Sequence, residues 1–313
     1  MKNKETLVKE RIAMLGASGM LGSMMVQYFA RQDDCQVIAY VRDKAFMQSA
    51  RQTLPDVEWR IGAYEAEHRR MNFPGLEQCA WVLNAIGITK PLIKEDRAEQ
   101  IERALLVNSL YPNDLGKWAD ANQARVLQIA TDCVYSGRKG AYVETDIHDA
   151  EDIYGKTKSL GESYWPSIAH LRCSIVGPEA KDFKFLLEWF LRQKKAAAIK
   201  GFSNHQWNGI TTLHYAKLCH GIIRNKLELP HLQHLVPRGT ISKAEMLRTF
   251  ARCYDRTDII IEEVNTGQQI DRTLSTLNHA RNRRLWECAG YTEPPTVPQM
   301  IEELSNFKFT PLL

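Results

Sequence analysis

The sequence predicts an α/β fold, a doubly wound parallel sheet followed by a smaller, mostly helical C-terminal region. Short apolar, strand-like runs alternate with helical stretches from Arg11 to Gly177, and that alternation builds parallel sheets. The first run feeds directly into a glycine-rich turn and then a helix. Three of the runs end so that Gly16, Asn84 and Thr131 share one carboxyl edge, which is where such sheets hold their ligands.

Residues 11–15 read as a buried strand and 24–30 as a helix, with Gly16-Ala17-Ser18-Gly19-Met20-Leu21-Gly22 between them. Gly16 suits the tight turn, Gly19 the approach of a pyrophosphate, and Gly22 close packing of the helix whose N-terminus faces the anion. The G-x-x-G-x-x-G spacing differs by one residue from the G-x-G-x-x-G of dinucleotide sites. A plain turn is the other reading, and the flanking strand and helix favour a Rossmann-type cofactor domain. The second strand, 36–41, ends at Arg42 and Asp43. An acidic side chain there accepts from a free ribose 2′-hydroxyl, whereas arginine forks a 2′-phosphate. Because Arg42 comes first, NADP(H) is favoured as cofactor, with NAD(H) the alternative; a solvated loop cation is the plainer explanation of Arg42.

Residues 57–61 form a third strand and 80–87 a fourth, whose end at Asn84, Ala85, Ile86 and Gly87 leaves room for a cofactor. The helical stretch 97–120 carries Ile101, Leu105, Asn108 and Leu115 on one face. Asn108, the polar member of that stripe, is either a satisfied core amide or a brace for a site. A fifth strand, 126–130, delivers Thr131 to the ligand edge; 170–177 is a sixth.

Tyr154 and Lys158 stand four apart on a helix that follows the loop 137–152, so both project from one face. An ammonium near a phenol favours the ionised form and lowers a pKa that otherwise lies near 10, too high for proton exchange at neutral pH. The Thr131 hydroxyl could hold a substrate oxygen against that phenol. An ordinary surface pair is the bland alternative for this spacing taken alone.

Beyond Pro178 the alternation stops. Residues 183–193 read as an apolar helix, and 201–209 as a polar loop with Trp207 and Asn208 available to a ligand. Helices follow at 212–224 and 242–254, the second opened by Ser242 with Glu245 three residues on, a capping box. A strand at 259–264 and a final helix at 299–304 complete the pattern, while His231 and His234 fall in a loop by Pro230. The expected division is a Rossmann domain of residues 1–175, with 207–240 returning to it, and a substrate-binding domain of 176–206 and 241–313.

The chain has 313 residues, 44% hydrophobic and 25% charged, so disorder is not the default. Its net charge of +4 lacks the basic run of a nucleic-acid arm. Seven scattered cysteines, none in a Cys-x-x-Cys pair, suggest neither a disulfide framework nor a zinc knuckle. The nine histidines form no metal motif, so no catalytic metal is expected. Residues 1–10 are polar, and no long apolar run suits a membrane. A cytoplasmic protein is expected, with a homodimer as its candidate assembly.

With the glycine turn, the Thr131 strand end and the Tyr154/Lys158 helix in this order, the chain resembles an extended short-chain dehydrogenase/reductase. More narrowly it resembles the dTDP-4-dehydrorhamnose reductase family, through Thr131-Asp132-Cys133-Val134-Tyr135, Tyr154-Gly155-Lys156-Thr157-Lys158 with Gly161-Glu162, Leu171-Arg172-Cys173-Ser174, and the loop near 204–212. The resemblance implies NADPH-dependent reduction of the C4 ketone of a nucleotide-activated deoxy sugar, as in surface polysaccharide or lipopolysaccharide synthesis. Tyr154 would donate the proton, Lys158 lower its pKa and hold the nicotinamide ribose, and Thr131 bind the carbonyl oxygen with Asn108 in support. Asp132, Cys133, Ile175, Trp207 and Asn208 would face the sugar. Ile175 stands where the family often carries tryptophan and Cys133 where tyrosine is common, which leaves open another 4-keto hexose or a dihydrostreptose-type product. An NAD-dependent epimerase or dehydratase is the rival enzyme, and a catalytically silent NADP-binding regulatory subunit the rival of another class.

Overall fold

In the computed structural model residues 9–312 are described, so most of the polar stretch at 1–10 lies outside the described residues. Strands β1 (Glu10–Leu15), β2 (Cys35–Val41), β3 (Glu58–Ile61), β4 (Trp81–Asn84), β5 (Arg125–Ala130), β6 (Ile168–Arg172) and β7 (Leu232–His234) form one sheet. All neighbours pair in parallel, in the order β7-β6-β5-β4-β1-β2-β3. The order reverses at β1, so a crevice opens beyond its carboxyl end, where the glycine turn sits.

The helices are α1 (Met20–Phe29), α2 (Lys44–Thr53), α3 (Ala98–Ala104), α4 (Tyr111–Ala121), α5 (Ile153–Leu160), α6 (Leu186–Leu191), α7 (Thr212–Arg224), α8 (Lys243–Cys253), α9 (His279–Cys288) and α10 (Val297–Asn306). Successive residues of β1 point to opposite faces, as a pleated strand requires. Ile12 and Met14 enter one core with Phe29 of α1 and Leu218 of α7, and Ala13 and Leu15 enter the other with Tyr111 and Leu115 of α4. Among the described residues no helix is long and apolar enough to cross a membrane.

Several expectations need correction. The first helix starts at Met20, inside the glycine turn, not at 24. The stretch 97–120 is continuous but contains a π-helical segment, Leu105–Leu110, between α3 and α4. Residues 201–209 are not a loop: they close the strand Ala198–Phe202 and form the strand His205–Trp207, which pairs with Ile241–Ser242. His234 belongs to β7, the seventh strand of the sheet, because its polar neighbours are bonded internally. Gln233 donates to the His234 carbonyl at 2.9 Å, and His234 Nδ1 lies 2.7 Å from the Ser275 carbonyl. Helices α2 and α9 carry too few apolar residues to announce themselves, burying only Phe46, Met47 and Ala50 in one and Asn282, Leu285 and Trp286 in the other.

Candidate active site

The glycine turn is shaped as a cradle. Gly16 has φ +81°, and a Cβ on Gly22 would lie 2.1 Å from the Gly16 carbonyl oxygen, so α1 packs directly onto the turn. Gly19 faces open space, where a Cβ would meet only the Gly16 carbonyl at 3.4 Å. It is also the N-cap of α1, with no side-chain cap and no acid in the first turn. The free N–H groups and positive end of that helix therefore remain for an anion, and Ala17, Ser18, Met20 and Leu21 supply the surrounding backbone. These features fit a dinucleotide pyrophosphate.

At the end of β2 the two candidate ribose readers separate. Asp43 caps α2, its Oδ1 accepting from the Ala45 and Phe46 amides at 2.8 and 3.3 Å, while Arg42 is exposed. Asn84, buried at the end of β4, is consumed structurally: it donates to Gln128 at 2.6 Å and accepts from the Ile86 amide at 3.1 Å. It shapes the Ala85, Ile86 and Gly87 turn, and these backbone atoms form the cradle's second wall.

Thr131 follows β5 and is buried, its Oγ1 accepting from the Cys133 amide at 3.1 Å. Helix α5 approaches this turn so closely that a Cβ on Gly155 would stand 2.3 Å from the Cys133 carbonyl. Its start is fixed by Asp152, which accepts from the Gly155 amide and from Lys90 Nζ, both at 2.8 Å. Asn108, in the π-helical segment, accepts from the Ile88 amide at 2.8 Å and donates to the Ile88 carbonyl at 2.9 Å and Thr157 Oγ1 at 3.2 Å. It therefore ties the loop after Gly87 to α5 as a positioning residue.

Burial pushes the Tyr154 phenol above its ordinary pKa, with Cys133 and Asp132 adding to the rise and the Thr131 hydroxyl opposing it. The net shift is thus upward, opposite to the sequence expectation, because desolvation outweighs local assistance. Lys158 is buried and its Nζ donates to the Ile129 carbonyl at 3.1 Å. Burial lowers its pKa to about 8, and the charge of Glu162, just past the end of α5, holds it from falling more.

Glu162 is gripped by Arg172, which is fully buried. Arg172 Nη2 donates to both Glu162 oxygens at 2.5 Å and to His148 Nε2 at 2.9 Å. Its Nη1 reaches Tyr135 Oη at 2.6 Å and His234 Nε2 at 2.9 Å. Both histidines are depressed, His234 to about 4, first by burial, so they accept from the guanidinium as neutral rings.

The facing wall comes from the second half of the chain. Trp207 Nε1 donates to Ser174 Oγ at 2.9 Å. Asn208 spends its amide on Leu274, donating to its carbonyl at 2.7 Å and accepting from its amide at 2.8 Å, and so clamps the wall. Ile175 pairs with Ile210 and is half-buried. Asp132 is buried and its carboxyl is pushed up by desolvation against the pull of Arg272 and Lys243; burial raises the Cys133 thiol to about 12, so it is no thiolate. Sequence reasoning missed Lys243 and Arg272. The capping box at Ser242 announced the start of α8, but no local signal aims that start at the β5 turn.

Among the described residues one trio could ligate a cation, Asp34, Cys35 and His220, with His220 Nε2 3.1 Å from both Asp34 oxygens. It lies at the amino end of β2, on the opposite edge of the sheet from Thr131.

The family described as RmlD substrate binding domain matches residues 10–265. No curated protein matches the sequence. Similar solved structures include a dTDP-4-dehydrorhamnose reductase from Clostridium acetobutylicum, 18% identical, with TM-score 0.67 over 94% of this chain and 98% of that one. The Bacillus anthracis dTDP-4-dehydrorhamnose reductase in complex with NADP is 15% identical, with TM-score 0.68 over 95% and 99%. A UDP-glucuronic acid 4-epimerase from Bacillus cereus, in complex with NAD, is 14% identical, with TM-score 0.69 over 95% and 98%. At these identities the likeness is one of fold.

Proposed function

The chain belongs to the RmlD substrate binding domain family, and from that premise we propose that it is an NADPH-dependent reductase of the C4 ketone of a nucleotide-activated deoxy sugar. The observation that supports this is the approach of the Tyr154 phenol to the Thr131 hydroxyl, on a helix packed against the turn after β5, with Lys158 buried one turn further along that helix. NADPH, when bound, supplies the hydride. Gly19 and the start of α1 hold the pyrophosphate, and Arg42, left free by the capping role of Asp43, takes the 2′-phosphate. Thr131 Oγ1 and the Tyr154 phenol hold the keto oxygen, and the phenol donates its proton as negative charge develops there.

The raised phenol pKa suits this direction. A phenol that stays protonated at neutral pH is an acid ready to give, and Lys158, protonated below about 8, stabilises the phenolate left behind. Such an enzyme would work in the cytoplasm and feed surface polysaccharide synthesis. Purified protein should consume NADPH with a panel of dTDP- or UDP-4-keto sugars, and Tyr154→Phe should slow turnover by about 10² or more. Turnover equal to wild type in that variant refutes the assignment. Oxidised cofactor retained through purification, with no net consumption of NADPH, would instead support an epimerase or dehydratase.

A further inference from the structure

We infer that Asp34, Cys35 and His220 form a binding site for a zinc ion, which ties the amino end of β2 to helix α7. Cys35 opens β2, His220 lies in α7, and Asp34 is in the turn before the strand. Neighbours inside a strand point to opposite faces, but Asp34 precedes the pleat, so its side chain and that of Cys35 converge. The His220 ring is held edge-on by Tyr28 and Phe29 at the end of α1, with ring centres 5.9 and 5.5 Å away. Its Nε2 lies 3.1 Å from each Asp34 oxygen, and the Cys35 thiol donates to Asp34 Oδ1 at 3.3 Å.

An ion pair between Asp34 and His220 would use two of these groups and has no need of the thiol. All three donor atoms lie within 4.8 Å of one another. Zinc bonds of about 2.0 Å to nitrogen and oxygen and about 2.3 Å to sulfur put tetrahedral neighbours roughly 3.3–3.6 Å apart. The two edges that meet at Asp34 therefore need to open by only about 0.2–0.3 Å to reach those separations. Rotation of the side chains closes the third, from Sγ to Nε2. The donor types choose the ion. A thiolate and an imidazole suit Zn²⁺, whereas Mg²⁺ and Ca²⁺ take oxygen ligands. Charge agrees, since one thiolate, one carboxylate and a neutral imidazole together balance a divalent ion. The Cys35 proton leaves to solvent as the bond from zinc to sulfur forms. Cys35 and His220 are buried and the Asp34 side chain is 36% exposed, which gives the ion its way in and water the fourth position. At the sheet edge opposite Thr131, the ion serves the fold and not hydride transfer.

The test uses full-length protein, kept reduced and stripped of metal with EDTA, and needs no turnover, so its outcome is independent of the reductase. One equivalent of Co²⁺ should give a sulfur-to-cobalt charge-transfer band with the visible bands of tetrahedral cobalt, and Zn²⁺ should displace it. Zn²⁺ at about 100 times its Kd should raise the melting temperature by roughly 5–10 °C. Cys35→Ser, a nearly isosteric change, should abolish the charge-transfer band. Asp34→Asn and His220→Gln should each weaken Co²⁺ binding at least roughly tenfold, the loss that even an indirect partner of a metal causes. Cys253→Ser, on α8, should bind as the wild type does. Melting without metal shows that each variant is folded. Absence of the charge-transfer band in the wild type, its survival in Cys35→Ser, its loss in Cys253→Ser, or a melting temperature that Zn²⁺ leaves unmoved overturns the inference.

Discussion

Glu162→Gln separates two jobs that one carboxylate performs. Arg172 is fully buried and has four side-chain partners, of which only Glu162 carries a negative charge; Tyr135, His148 and His234 are neutral acceptors. An amide in its place leaves a buried guanidinium without a counter-charge, which costs roughly 3–5 kcal/mol. At roughly 2–4 °C per kcal/mol, the melting temperature should fall by roughly 6–20 °C. The same change removes the charge that props up Lys158. Wild-type turnover should fall as pH rises through about 8, where Lys158 loses its proton, and in Glu162→Gln that fall should begin at lower pH. Stability follows the opposite sign. The folded pKa of Lys158 lies below its ordinary 10.5, so between about 8 and 10.5 the unfolded chain binds a proton that the folded chain has shed, and stability rises with pH there. Calorimetry and a pH profile of turnover at a temperature where the variant is folded give both readouts. A lowered melting temperature with an unmoved pH profile would show that Glu162 serves Arg172 alone and refute its coupling to Lys158.

Arg42→Ala should weaken NADPH binding by roughly 10- to 100-fold, the loss of one charge-assisted phosphate contact of roughly 1.5–3 kcal/mol, and leave NADH nearly unchanged in parallel fluorescence titrations. Equal loss for both cofactors would return Arg42 to the role of a solvated loop cation. Asn108→Ala strips the Ile88 amide and carbonyl of their partners, at a cost of about 1–3 kcal/mol in stability. As a positioning residue between that loop and α5, it should lower kcat more than it changes KM for the sugar; an unchanged kcat would make it a core amide only.

The glycine turn and the strand ends were readable because their signals are local. A strand, a glycine-rich turn and a helix fall in one window, and so do the strand end at Thr131 and the Tyr154/Lys158 spacing. Periodicity and glycine placement act over the same short range, which is why the seven-stranded sheet was foreseen for six of its strands. The seventh was not, because β7 presents Leu-Gln-His and is buried only through bonds to residues such as Ser275 and Glu144. Arg172 and Glu162 stood out in the sequence as motif residues. Their partnership did not, since His148 and His234 join it from segments with no periodic signal.

The pKa of Tyr154 shows why spacing alone misjudged the chemistry. A lysine one helical turn away is visible in any sequence, and taken alone it lowers a phenol. What decides the sign is the protein packed around that turn: α5 sits on the Cys133 carbonyl through Gly155, Lys158 turns to the Ile129 carbonyl, and the phenol loses water on all of these sides. Desolvation raises the tyrosine and lowers the lysine together, and so narrows the pH range in which one is an acid and the other a cation. The upper end of that range is set by Lys158 near 8, and through it by Glu162 and Arg172. In the proposed reduction the lysine and not the tyrosine would therefore limit proton delivery in alkali, so Tyr154→Phe should lower turnover at every pH without moving the alkaline limb.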